Sequence, residues 1–376
     1  MKLDNINKNI INDVLKVKKS DKIFILYPNL YNELNDIKNK IDEDSDWDKM
    51  KKITNPYELI HLSFNKNKYN NSIANYNPLS RSYFKMIEII NKYDLLSNTN
   101  NYIKTASLAE GPGGFMEAIY NYRVKNNHYN DDIYGITLDT KNKYIPGWKK
   151  LKNIKKFNFK INYGDLYNIN DIKKFTQNFK DKKADLVTAD GGFDYSIDFN
   201  NQEQLSYRII FCEIITAFGI QQIGGSFVCK IFDIFSLFTL KMIYLIYYFY
   251  DEIHLYKPKT SRIANSEKYI VAKGFKGITK EKLDELYLII ENWDDNFYAI
   301  DILGINFDNN FIHLIYDYNI NFIKKQKKNI LKTLKYVNNK PDKDKYFNII
   351  DKQVDNAIEW CKINNIEINY KSRYLL

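Results

Sequence analysis

Between residues 77 and 275, short apolar runs alternate with stretches of helical spacing, and this alternation limits the possible folds more than any other feature of the chain. Residues 102–108, 132–138, 184–189, 225–231, 252–256 and 269–275 read as strands. Residues 115–123, 203–222 and a run ending near Tyr250 read as helices. Strands interleaved with helices of that length build a parallel, doubly wound sheet with helices on both faces. The last connection is different. Residues 257–268 contain Pro258 and show no helical periodicity, so strand 269–275 is expected to run antiparallel, as a hairpin partner.

Ahead of this unit, Pro78 precedes RSYFKMIEIINKYDLL, where Tyr83, Phe84, Met86, Ile87, Ile90 and Tyr93 recur at helical spacing and carry Lys85 on the same helix. Residues 1–76 are polar and rich in Asn and Lys, with no run long enough for a sheet, and read as an N-terminal accessory region. Residues 77–277 form the core, and residues 278–376 a helical C-terminal region that includes the basic run KKQKK, Lys324 to Lys328. That run suits either a solvated helix face or contact with nucleic acid.

The excess of 56 Lys+Arg over 46 Asp+Glu leaves +10, which suits a polyanion such as nucleic acid as well as it suits simple solubility. Cys212, Cys229 and Cys361 form no CxxC pair and no disulfide framework, so a reducing, intracellular compartment and no structural zinc are expected. The first residues lack a basic-then-apolar leader, arguing against secretion. The stretch 231–250 is long enough to span a bilayer, but it carries Asp233 and Lys241, which hydrocarbon penalises. It reads as a buried helix, with no membrane partner.

Strand 102–108 leads into Glu110-Gly111-Pro112-Gly113-Gly114-Phe115, a glycine turn that opens a helix. Such a turn brings backbone N–H groups close to a ligand. The spacing lacks the GxxxxGK[ST] of a phosphate loop, so a neutral or carboxylate-bearing cofactor fits better than a triphosphate. Asp139 ends the second strand, where an acid accepts ribose hydroxyls or merely caps a helix. Asp165 follows another glycine turn, placed for an adenine amino group if a third strand ends there.

Asp190 closes strand 184–189 and faces the crevice where parallel sheets bind ligands, unless it is an ordinary turn aspartate. Lys230 interrupts the apolar run SFVCKI, a place where lysine needs a paired acid or a function. Glu267 begins the antiparallel strand and falls beside Lys230 if the hairpin forms, with Lys85 closing the group from above. Two lysines and two acids so arranged abstract a proton, provided that the neighbouring ammonium and desolvation lower the pKa of Lys230.

Lys85, Asp190, Lys230 and Glu267 resemble, in order and context, the K-D-K-E tetrad of the FtsJ-like ribose 2′-O-methyltransferases, and Gly111 to Gly114 resembles their S-adenosyl-L-methionine loop. The strings TADGGFD, GGSFVCKIFD and YKPKTSRIANSEKYIVAKG are most similar to the mRNA cap 2′-O-methyltransferases of eukaryotes and large DNA viruses. One departure is Ser107, where an acid often ends the first core strand; Glu110 stands in a position to replace it. The resemblance implies a Rossmann-like methyltransferase fold and S-adenosyl-L-methionine as cofactor, held by Glu110, Gly111, Pro112, Gly113, Gly114, Phe115, Asp139, Asp165 and Asp190. It implies no metal, and Lys230 as general base. It also implies the 5′ end of capped mRNA as substrate, other capping or transcription proteins as partners, and a cytoplasmic setting, in a host or virion if the source is viral. A ribosomal or transfer RNA ribose methyltransferase and a non-catalytic RNA-binding subunit are the competing readings.

Overall fold

The computed structural model describes residues 1–3, 11, 14–41, 46–62, 71–97, 101–139, 147–148, 157–192 and 200–376. The last two residues of the TADGGFD string lie outside these. Strand β1 (Lys16–Ser20) belongs to a small outlying sheet. The main sheet holds β2 (Lys104–Leu108), β3 (Asp132–Thr137), β4 (Lys160–Tyr163), β5 (Ala184–Ala189), β6 (Gln221–Ile231), β7 (Tyr250–Tyr256) and β8 (Lys268–Phe275). Its order is β4-β3-β2-β5-β6-β8-β7, with β8 antiparallel to both β6 and β7 and the ladders from β4 through β6 parallel.

The expected fold class holds, and the order of the strands locates the site. From β2 the chain runs outward one way through β3 and β4, then returns to start the other half at β5. The carboxyl ends of β2 and β5 therefore flank the point where the winding reverses, which is where open α/β sheets bind ligands. Both strands are buried because helices cover both faces, which is why they read as continuous apolar runs rather than alternating ones.

Several boundaries shift for local reasons. The helix expected just after Pro78 begins at Ser82 and runs to Tyr93, and ahead of it the Leu79 N–H donates to the Glu117 carboxylate at 2.6 Å. The helix expected over 203–222 divides into Gln202–Leu205 and Tyr207–Ile220, and β6 already begins at Gln221. The apolar stretch 231–250 is a buried helix, Leu237–Phe249, preceded by the end of β6 and a buried turn. Its two charges are paired inside the protein: Asp233 with Lys38 at 2.8 Å, and Lys241 with Asp301 at 3.2 Å. Among the described residues, no helix is long and apolar enough to cross a membrane.

The expectation that residues 1–76 build no sheet is overturned. Strand β1 pairs antiparallel with β9 (Tyr298–Leu303), inside the stretch read as helical. A ladder is made of backbone groups, so the polar KVKKS can join one without the alternation that would announce it. The two flanking regions also pack onto the core: Leu3, Leu15 and Leu34 join its main apolar cluster, and helix Asn309–Asn338 lies along the N-terminal helices Pro28–Lys38 and Trp47–Ile53. Helix Lys343–Ile363 completes a second cluster on the other face, where Trp360 is among the largest fully buried side chains.

Candidate active site

At the carboxyl ends of β2, β5 and β6 lies a cavity of about 460 Å³. Glu110, Gly111, Pro112, Asp165, Asp190, Lys230 and Glu267 all reach its wall. Lys85 stands just behind, held by Glu267 with 2.7 and 2.9 Å contacts to the two carboxylate oxygens. Lys230 Nζ donates to the backbone oxygen of Asp190 at 2.7 Å and lies 3.3 Å from its Oδ1. The structure thus gathers all four residues of the expected group.

Register explains the gathering. Lys230 sits opposite Tyr269 on β8, so Glu267, two residues earlier, falls just past the end of the ladder and into the crevice. This is the juxtaposition that the antiparallel strand was expected to produce. Gly192 packs closely against the lysine: a Cβ there would come within 3.1 Å of Lys230 Nζ.

Two groups at the site were not anticipated from the sequence. Tyr269 Oη lies 2.9 Å from Asp190 Oδ1 and 3.2 Å from Glu267 Oε1, bridging the two acids. Its burial and the two carboxylates push its pKa well above that of a free tyrosine, so it remains a donor. Lys257 donates to the backbone oxygens of Glu267 at 2.8 Å and Asn265 at 2.7 Å, fixing the loop that carries the acid. Burial pulls the pKa of Lys257 down to about 7, against the opposing pull of Glu267. For Glu267, burial raises the pKa, but the charges of Lys85, Lys230 and Lys257 overcome it and hold the carboxyl at about 2.

Two buried acids lie on the β2 and β5 side. Glu110 Oε1 accepts the Phe115 N–H at 2.7 Å, while its Oε2 meets no hydrogen-bond partner among the described residues. Burial, and Asp190 nearby, raise its pKa well above the usual range. Glu213 accepts the Gly191 N–H at 2.9 Å from beneath the Asp190 turn, and burial pushes its carboxyl up to about 8.

The remaining expected residues divide. Asp165 lies in the cavity wall beyond the end of β4, braced by the Tyr167 N–H at 2.8 Å. Gly113, Gly114 and Phe115 lie behind the wall. Gly113 adopts φ +108°, a left-handed turn that suits glycine, and Phe115 is fully buried. A Cβ on Gly114 would collide with the hydroxyls of Ser80 and Ser82, so the close approach this glycine permits is to its own chain. Asp139 is exposed beyond the end of β3 and is not in the wall, which is formed there by Thr137 and Leu138.

The donor set suits S-adenosyl-L-methionine. A cationic ligand with an amino group meets an acid-rich crevice, where its charge would favour the ionised form of Glu110, whose Oε2 has no partner among the described residues, and Leu138, Leu166 and Ile209 offer apolar surface to a flat base. Among the described residues, no group of His, Cys, Asp and Glu is arranged to hold a metal ion.

Residues 78–275 match the family model described as FtsJ-like methyltransferase. The chain belongs to this family. Several relatives are named for work on mRNA caps. Cap-specific mRNA (nucleoside-2′-O-)-methyltransferase 1A of Caenorhabditis briggsae is 32% identical over 66% of this chain and 32% of its own length. Cap-specific mRNA (nucleoside-2′-O-)-methyltransferase 1 of Mus musculus is 30% identical over 59% of this chain and 27% of its own. A protein named as inactive, the 1B form of Caenorhabditis briggsae, is also 30% identical, over 62% of this chain and 31% of its own length. The FtsJ-like chain thus spans about a third of the length of each of these relatives.

Proposed function

We propose that this FtsJ-like methyltransferase moves a methyl group from S-adenosyl-L-methionine to the ribose 2′-OH of a cap-proximal nucleotide at the 5′ end of capped mRNA. The observation that carries the reading is the convergence of Lys85, Asp190, Lys230 and Glu267 beside the glycine turn, joined through Tyr269. An inactive relative matches the chain about as well as the others do, so identity alone does not argue for catalysis. The filled and connected tetrad does.

When bound, S-adenosyl-L-methionine supplies a methyl carbon activated by the positive charge of its sulfonium. The protein then has to hold two groups in line and remove one proton. Lys230, in its neutral amine form, would take the 2′-OH proton while the ribose oxygen forms its bond to the methyl carbon and the carbon–sulfur bond breaks, leaving S-adenosyl-L-homocysteine. Asp190 aims Lys230 from one side, Glu267 fixes Lys85 on the other, and Tyr269 keeps the acids in register. Glu110 takes the amino-acid or sugar end of the cofactor and Asp165 its adenine. Asp139, outside the wall, contributes to the ribose only if its segment moves inward.

The +10 charge suits RNA, and the three buried free cysteines suit an intracellular setting. Labelled methyl transfer to capped and uncapped transcripts of the same sequence tests the substrate. The reading requires the capped transcript to be strongly preferred. Equal labelling of both would transfer the chain to the ribosomal or transfer RNA class.

A further inference from the structure

Behind the loop that carries Glu267 lies a second and larger cavity, of about 870 Å³. Of residues 257–267, Lys257, Pro258, Lys259, Ser261 and Ile263 line this cavity, whereas Glu267 lines the smaller one. Lys257 ties the two cavities together, since it belongs to this wall while donating to the backbone oxygen of Glu267. Gln326, on helix Asn309–Asn338, holds the same loop through the Ala264 carbonyl at 2.9 Å.

The lining joins aromatic rings to a mainly cationic rim. Tyr57, Tyr318 and the mostly buried Phe322 contribute rings, and amines already lie near two of them: Lys268 at 4.1 Å and Lys257 at 5.4 Å from the centre of Phe322, and Lys259 at 5.4 Å from that of Tyr57. Lys325, Lys328 and Lys332 are exposed and spaced along one helix face at the mouth, with Lys259 facing them from the loop. Among the described lining residues the only carboxylate is Asp317. Burial and the like charges of Lys345, Lys352 and Lys328 draw the pKa of Lys332 down, as expected for cations gathered without counter-charges. Flat apolar surface beneath a row of lysines is the pairing that a nucleobase and its phosphate require.

We infer that this cavity is a second RNA site, which holds a nucleotide of the substrate strand other than the one methylated, its base against Tyr57, Tyr318 and Phe322 and its phosphates on Lys325, Lys328 and Lys332. The inference rests on the methyltransferase reading above. It adds that a strand crossing residues 257–267 is gripped on both sides of the loop carrying Glu267. A phosphorylated peptide is the rival occupant. The rings favour RNA, since a phosphopeptide has no need of them.

The test is equilibrium binding of a fluorescein-labelled single-stranded RNA of about 12 nucleotides, within the span of such sites, without any methyl transfer. The K325E/K328E/K332E variant is compared with the wild type and with K173E/K174E/K180E, which makes the same charge change at exposed lysines elsewhere. Calorimetric titration with S-adenosyl-L-methionine confirms that each variant is folded. The cavity variant should lose about 10-fold or more in RNA affinity, and its slope of log affinity against log salt should shrink by about 0.7 for each phosphate contact removed. The control variant should lose about 2-fold or less. Equal losses in the two variants, an unchanged affinity, or selective loss of a phosphoserine peptide with RNA binding intact would each overturn the inference. If the wild type methylates capped RNA while the cavity variant binds RNA normally, the second site alone fails. If RNA binds through the cavity but no transcript is ever methylated, the proposed activity alone fails.

Discussion

The two cavities that draw on residues 257–267 for their walls are both lined with lysine, but they use it in opposite ways. In the smaller one, Lys85 and Lys230 are each matched to an acid, carried by strand ends or a helix packed on the sheet, and enclosed. In the larger one, Lys325, Lys328 and Lys332 stand in solvent on one helix with a single carboxylate in the lining. Matched charges in an enclosed site fix geometry and strengthen one another because water does not screen them. Unmatched charges at the surface attract a polyanion over a distance, adapt to it, and weaken in salt. Chemistry needs the first arrangement, and holding a strand needs the second.

The sharpest break of this contrast is Lys230→Ala. Removing a general base costs about 10²–10⁴-fold in rate, so kcat should collapse while calorimetry shows S-adenosyl-L-methionine binding close to the wild type. Salt should not rescue it. Next comes the buried acid that holds the 257–267 loop to the start of helix Ser82–Tyr93: Glu58 accepts from Arg262 at 2.6 Å and from Arg81 at 3.1 Å. Glu58→Ala strands two arginines, and urea unfolding should show a loss of about 3 kcal/mol.

Acid should act on the enclosed cluster. Against burial, which raises it, the charges of Lys85, Lys230 and Lys257 hold the folded Glu267 carboxyl below its ordinary 4.5. Its folded pKa is depressed, so its contribution to stability is complete above about pH 4.5 and is lost as pH falls toward about 2. Urea midpoints measured across that window should fall more steeply for the wild type than for Glu267→Gln. The smallest expected effect is that of Tyr269→Phe, which deletes only the hydroxyl between the two acids. A loss of about 10-fold in kcat with little change in KM for RNA is expected, along with about 1 kcal/mol of stability.

The difference between the two regions also governs what the sequence shows. Strand β5 lies where its apolar run placed it, and Lys230 stood out because a lone cation in SFVCKI needs an explanation. Tyr269 did not stand out: in KYIVAKGF it reads as one more core residue, and only the pairing of β8 with β6 turns its hydroxyl toward Asp190. Lys257 is similarly silent, because its shortest bonds go to main-chain oxygens of its own loop, with the Ser261 hydroxyl at 3.3 Å beside them, and main-chain partners leave no side-chain signature. Strand β1 was hidden by its polarity. The KKQKK run was visible as charge, but which loop it faces depends on how a distant helix docks, and local spacing carries no information on that.

The most direct test of the central claim is to map the methyl group on a short capped transcript. A 2′-O-methyl ribose cannot attack its own 3′ phosphate, so alkali leaves that one bond intact. We expect a single alkali-resistant bond at a cap-proximal nucleotide with the wild type, and none with Lys230→Ala. A methyl group found on a base or at internal riboses, or one that Lys230→Ala still delivers at the wild-type rate, would contradict the account.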